Sequence, residues 1–236
     1  MKNGFIFGLP GVLALYRSAT ATAVFPMIVL ANVGIAFITV GLAFWANTPG
    51  IFMKANNGRL SFLSYLVFWP YLALNYLFLR LYRRLSQENP IDEILPGLYL
   101  GRKLLKADQA TFTQWGICAV VDATSEWGEA RFILKNYAYL CVPVLDTCAP
   151  TRQQLHAAVA WIEAQLQHGG VFVHCTAGHG RSATIIAAYL LHIKAVAGVQ
   201  EAVVLIKSKR PKIRVEKGQL AVLMEVINPS TSYCMG

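Results

Sequence analysis

The apolar positions of this chain follow two regimes that change near Asn89. Upstream they run on unbroken: no Asp, Glu, Lys or Arg occurs between Arg17 and Lys54, nor between Arg59 and Arg80. The runs VFPMIVLANVGIAFITVGLAFW (24–45) and LSFLSYLVFWPYLALNYLFL (60–79) each approach the ~20 residues a helix needs to cross a bilayer core. They predict two transmembrane helices within an anchor domain, residues 1–88. Trp45 closes the first span as an interfacial anchor would, whereas Trp69 and Tyr71 flank Pro70 inside the second. Residues 1–23 read as a short interfacial segment leading into the first span. The alternative is a cleaved signal peptide with Lys2, an apolar FIFGLPGVLAL and small residues near Ala21 and Ala23, a pattern that Arg17 interrupts.

Downstream, over 89–236, the apolar positions become periodic. NPIDEILPGLYLG reads as a strand pair about a Pro-Gly turn, GICAVVDAT as a buried strand, and AYLCVPVLD as a strand ending at Asp146. In PTRQQLHAAVAWIEAQLQHGG, Thr151 and Gln154 make a capping box, the spacing is helical, and Gly169 and Gly170 stop it. VFVHC is a strand again and RSATIIAAYLLHIKA a buried helix. VQEAVVLIKSKRP predicts a helix stopped by Pro211, and KGQLAVLMEVI a last one. Strands alternating with helices predict an α/β domain with a central, mostly parallel sheet flanked by helices.

Composition strengthens the division. A hydrophobic fraction of 56% and a mean hydropathy of +0.46 exceed those of an ordinary soluble domain. Residues 1–89 carry seven Lys/Arg against one acid, and 90–236 fourteen against eleven, so most of the net +9 is juxtamembrane. That distribution suits anionic lipid head groups and argues against nucleic acid as a partner. Arg80, Arg83 and Arg84 follow the second run, with Arg102, Lys103 and Lys106 soon after. Positive-inside bias therefore puts the α/β domain in the cytoplasm, and two crossings return the N-terminus to the same side. Cysteines 118, 141, 148, 175 and 234 show neither a CxxC spacing nor an even framework, as in a reduced, cytosol-facing domain. They form no ligand motif with histidines 156, 168, 174, 179 and 192, so neither a metal nor another cofactor is expected.

The chemistry concentrates in VFVHCTAGHGRSAT (171–184). A buried strand that enters a tight loop and leaves as a helix aims successive backbone N–H groups, and the positive helix end, at one small volume. Gly178 and Gly180 allow the loop to curl, so Thr176, Ala177, Gly178, His179 and Gly180 can cradle an anion. Cys175 at the mouth of this nest is expected to be a thiolate, because the field that attracts phosphate also lowers its pKa. Arg181 adds a planar fork of donors suited to two phosphate oxygens. The chemistry these residues support is attack of sulfur on phosphorus.

HCTAGHGRSAT resembles the HCxxGxxRS signature of the protein tyrosine phosphatase superfamily, and ILPGLYLG and KSKRP resemble its dual-specificity branch. The resemblance covers about residues 90–225. It implies Cys175 as nucleophile, Arg181 as transition-state clamp, Ser182 as the hydroxyl that eases thiolate departure, and His174 as a neighbour orienting the thiolate. It also implies a general acid on an upstream loop, where Asp146 ends AYLCVPVLD; Asp122 in VVDATSE is the competitor. His179 holds a position the family varies, open to a substrate role or to none. The upstream acid separates the chain from low-molecular-weight tyrosine phosphatases, and Gly178, Arg181 and Ser182 separate it from rhodanese-type loops.

Substrate is less marked. Membrane spans favour a phospholipid phosphate, whereas the loop lacks the lysines that lipid-directed members often carry between Cys and Arg. Phosphotyrosine, phosphoserine or phosphothreonine of a membrane-associated protein is the alternative, and a phospho-binding module of weak activity a third reading. The run Lys207, Lys209, Arg210, Lys212 and Arg214 reads either as a head-group dock or as a solvated helix end. Oligomeric state is not legible.

Overall fold

All six residues of Gly170–Cys175 (β5) are buried, and this strand is the middle of the sheet on which the periodic half of the chain folds. The computed structural model describes residues 2–227, so Cys234 lies outside the described residues. The sheet runs β1-β2-β5-β3-β4, with β1 Ile91–Leu95, β2 Leu98–Arg102, β3 Ile117–Asp122 and β4 Ala138–Cys141. Only β1 is antiparallel, paired to β2 about Pro96-Gly97; β2, β5, β3 and β4 run parallel. This is the mixed α/β architecture that the periodicity predicts.

Pleating divides β5 between two cores. Val171, Val173 and Cys175 join a cluster with Leu155, Ile162, Ile185 and Ile206 from α6 (Arg152–Leu166), α7 (Arg181–His192) and α8 (Val199–Lys209). Phe172 joins Tyr99, Phe112, Val120 and Phe132 on the other face, near the short α4 (Gln109–Phe112) and α5 (Arg131–Asn136). His174 stacks on Phe172 and so belongs to that second face, away from Cys175. The capping box at Thr151 forms as expected, each partner bonding the other's backbone at 2.8 and 3.1 Å. A last helix, α9, runs Lys217–Ile227.

One strand is shorter than its sequence suggests. AYLCVPVLD leaves the sheet after Cys141, because Pro143 has no N–H to donate and the strand is at the edge. Val142 still donates its N–H to the Asp122 carbonyl at 2.9 Å, and the chain from Pro143 to Asp146 is freed from the sheet.

The N-terminal unit comprises Met1–Ala55 and Leu60–Ser86; Asn56–Arg59 and Gln87 onward form the α/β unit. The N-terminal stretch forms a helix, α1 (Lys2–Ala19), antiparallel to α2 (Val24–Ala46). Glycines bring the two backbones together: a Cβ on Gly41 would lie 2.8 Å from the Gly4 carbonyl, and one on Gly11 2.8 Å from the Ile38 nitrogen. Close approach through small residues is how helices pack where lipid removes the hydrophobic drive. α2 and α3 (Phe62–Leu85) are both long and apolar enough to cross a membrane.

Candidate active site

The loop from Cys175 to Arg181 owes its shape to bonds on its outside. The carbonyls of Thr176, Ala177, Gly178 and His179 accept, in turn, from the Lys103 N–H at 3.1 Å, Arg210 Nη2 at 2.9 Å, Arg210 Nε at 2.9 Å and the Arg214 N–H at 3.1 Å. With those carbonyls turned outward, the N–H groups that follow face inward, as an anion nest requires. Gly178 is indispensable, since at φ +78° a Cβ would lie 2.5 Å from the Gly101 carbonyl; Gly180 has ordinary φ and more room. Arg210 is fully buried and ion-paired with Asp92 at 2.5 Å, so it is neither a head-group dock nor a solvated helix end. Lys207, Lys209, Lys212 and Arg214 are exposed.

Cys175 Sγ accepts the Gly178 N–H at 3.3 Å and the Ser182 hydroxyl at 3.2 Å. Burial pushes the thiol up, but the Arg181 charge and the Ser182 bonds outweigh it and hold its pKa below the ordinary value. Cys175, Ser182 and Arg181 thus converge as their spacing implies.

Arg181 is 1% exposed and almost fully committed. Glu126 takes Nη1 and Nη2 bidentately, each at 2.9 Å, while the Val144 carbonyl and Thr176 Oγ1 accept at 2.9 Å. Only Nε is buried without a partner. The donor left for a phosphoryl group is therefore Nε, and Nη2 reaches a phosphate oxygen only where that oxygen displaces Thr176 Oγ1 or Asp146. Burial alone would lower the Arg181 pKa, yet Glu126, Asp146 and Cys175 hold it well above the usual value.

Asp146 Oδ1 lies 3.2 Å from Arg181 Nη2 with its side chain 63% exposed, at the mouth of the nest. Asp122 is fully buried and spent elsewhere, accepting the Thr124 N–H and hydroxyl at 2.8 and 2.6 Å and the Tyr139 hydroxyl at 2.9 Å. His174 contacts the Cys175 carbonyl at 3.2 Å through Nδ1 and Glu129 at 2.7 Å through Nε2. His179 reaches Glu88 at 2.9 Å. Burial, with Arg210 and Lys212, keeps the His179 pKa low despite that carboxylate.

Sequence reasoning passed over two glutamates in TSEWGEARF. Glu126 orients Arg181 and accepts the Thr176 hydroxyl at 2.9 Å; Trp127 donates to the same hydroxyl at 3.0 Å. Glu129 lies behind His174 with Lys103 at 3.2 Å. Their only signal is a position just past the carboxyl end of a parallel strand, where open α/β sheets gather ligand groups. Asp122, Glu129 and His174 bring their ligand atoms within 4.8 Å of one another. The Lys103 ammonium and Tyr139 hydroxyl already satisfy the two carboxylates there, which does not suit a metal.

Residues 98–228 match the family described as "Dual specificity phosphatase, catalytic domain". Dual specificity protein phosphatase 22-B of Danio rerio is 33% identical over 127 residues, 52% of this chain and 66% of that protein. Dual specificity protein phosphatase 16 of Homo sapiens is 38% identical over 122 residues, 51% of this chain but 18% of that one. The chain thus spans less than two thirds of these relatives. Among solved structures, PTPMT1 in complex with PI(5)P superposes with a TM-score of 0.53 at 26% identity, over 60% of this chain and 96% of that one. Tk-PTP in its active form gives 0.54 at 24%, a likeness of fold. With its outward-tied loop, bonded thiol and buried arginine inside a match covering more than half its length, this chain belongs to the dual specificity phosphatase catalytic-domain family.

Proposed function

We propose that the protein is a membrane-anchored phosphoric monoester hydrolase working through a phosphocysteine intermediate, with a phospholipid head group as substrate. The observation that carries the chemistry is the orphaned Arg181 Nε beside a thiol held by Ser182 and Gly178. Cys175 sulfur attacks phosphorus as the ester oxygen leaves with the proton of Asp146. Asp146, now a carboxylate, takes a proton from water; the water oxygen bonds to phosphorus, and the S–P bond breaks to return the thiolate, which the Ser182 hydroxyl stabilises. Arg181 holds the equatorial oxygens throughout. Asp146 starts from a contact with Arg181 that an incoming phosphoryl group replaces.

The lipid reading rests on the apolar N-terminal unit and on a groove of about 540 Å³ beginning at Lys103, beside the nest. Exposed Lys106, Arg131 and Lys135 line it over Leu104 and Phe132 and could receive an anionic amphiphile. The solved relative bound to PI(5)P supports the same class of substrate. The relatives named as protein phosphatases favour the second reading, a phosphoprotein substrate. The basic residues flanking the apolar helices favour a cytoplasmic α/β unit. Phosphate release by the detergent-held protein, measured side by side on phospholipids and phosphopeptides, separates the readings. Turnover of phosphopeptides alone refutes the lipid reading.

As the general acid, Asp146 matters most when the leaving group is poor. Asp146→Asn should slow an alkyl phosphate by ~10²-fold or more, yet barely affect an activated aryl phosphate. Asp122→Asn should depress both alike by loosening the Thr124 and Tyr139 bonds. An exchange of these behaviours would make Asp122 the acid.

A further inference from the structure

Glu129 is tied on both sides. Its carboxylate takes His174 at 2.7 Å, Lys103 at 3.2 Å and the Ala130 N–H at 2.6 Å. Its own N–H donates to the Gly58 carbonyl at 2.8 Å. Gly58 comes from the connection between α2 and α3, more than seventy residues upstream in the chain, yet Asn56–Arg59 belongs to the α/β unit. The fit is tight. Gly58 has φ +78°, and a Cβ there would lie 2.7 Å from the Tyr139 ring, whose hydroxyl bonds Asp122. A segment between two membrane-length apolar helices thereby contacts both residues, Glu129 and Tyr139, that flank the support of His174.

We propose that Asn56–Arg59 is a positioning strap for the active site, holding Glu129 against His174 and through it the backbone of Cys175, and that it lies on the same membrane face as the α/β unit. His174 Nε2 donates to Glu129 and Nδ1 to the Cys175 carbonyl, an arrangement that needs both ring nitrogens protonated. The charged groups around the imidazole are Glu129, Asp122 from β3 and Lys103 after β2, with Tyr139 from β4 behind Asp122. Burial and Lys103 oppose the imidazolium; Glu129 and Asp122 outweigh them and keep its pKa raised. A cation fixed next to the Cys175 peptide favours the thiolate, so a displaced strap weakens that support. The topological half follows from the same bond. Two crossings, by α2 and by α3, would put residues 47–61 across the membrane from Glu129 and are incompatible with it.

Alkylation of Cys175 by iodoacetate, followed by mass spectrometry of its peptide across pH, reads the thiolate with no phosphorylated substrate. It therefore tests the strap independently of the lipid reading. In the full chain, Glu129→Gln should move the alkylation profile to higher pH and slow the reaction at pH 6 about tenfold, the factor of a lost hydrogen bond to a charged group. Gly58→Ala should move it the same way by a smaller factor, and the double variant no further than Glu129→Gln alone. An unmoved profile in Glu129→Gln overturns the proposal whether or not Gly58→Ala folds; so does a Gly58→Ala that lowers thermal stability and leaves the profile in place. Topology is read from Asn57→Cys and Lys209→Cys, each in a background lacking the native cysteines, with an impermeant maleimide on sealed proteoliposomes. Both should label from one side, and labelling from opposite sides overturns the membrane assignment.

Discussion

Cys175→Ser is expected to abolish turnover, by roughly 10⁴-fold or more, the order seen when a covalent enzyme loses its nucleophile. Two properties should survive. The loop keeps its shape, because the bonds that set it run from Lys103, Arg210 and Arg214 to the carbonyls of residues 176–179, none of which involves sulfur. Anion affinity also persists, since the inward N–H groups and Arg181 Nε are untouched. Calorimetric titration with inorganic phosphate should therefore give binding within a few-fold of the parent while acid-quenched samples yield no phosphocysteine. The parent thiol is held below its ordinary value, so the rise of parent turnover with pH should come at lower pH than an unperturbed cysteine would give. Undiminished hydrolysis by Cys175→Ser, or loss of phosphate binding with the fold intact, would contradict this division between nest and nucleophile.

The parts of the site that the sequence displays are those packed into one local motif. Cys175, Gly178, Arg181 and Ser182 are contiguous, and a strand–loop–helix made of them has one way to close, so their spacing implies their meeting. Asp146 is also legible, as a carboxylate at the end of a strand-like run, although the run leaves the sheet earlier, at Cys141. Nonlocal partners leave no such trace. Glu126 meets Arg181 across 55 residues and Glu129 meets His174 across 45, and in the sequence both look like ordinary charges of a polar loop. Arg210 misleads in the opposite sense: it sits in a basic run that normally faces water, yet the neighbouring lysines are exposed while it alone turns in toward Asp92 and the loop carbonyls. The helix α1 is hidden for a different reason. Pro10 and its glycines lower intrinsic helix propensity, and those glycines serve the backbone contact with α2 that compensates for them.

Arg181→Lys should lower kcat/KM by at least about 10³-fold, the lower end for removal of an arginine that stabilises a transferring phosphoryl group. The wild-type side chain performs two tasks at once. Its Nη1 and Nη2 engage Glu126 bidentately, and Nε is left for a phosphoryl group. A lysine ammonium has three donors on one atom and no planar edge, so it cannot satisfy Glu126 bidentately and also present a separate donor to the equatorial oxygens. It also leaves the Glu126 carboxylate, 3% exposed, short of partners, which costs stability as well as rate. Burial pushes Glu126 up, and it is chiefly Arg181 that brings its pKa below the ordinary value, so weakening the pair should let Glu126 take up a proton at higher pH. A second substitution separates stability from rate. Arg181→Lys with Glu126→Gln removes the buried carboxylate and should recover much of the lost thermal stability while leaving turnover as low as in Arg181→Lys. Restored turnover in the double variant would mean that Arg181 serves the fold and that the transition state is held by another group.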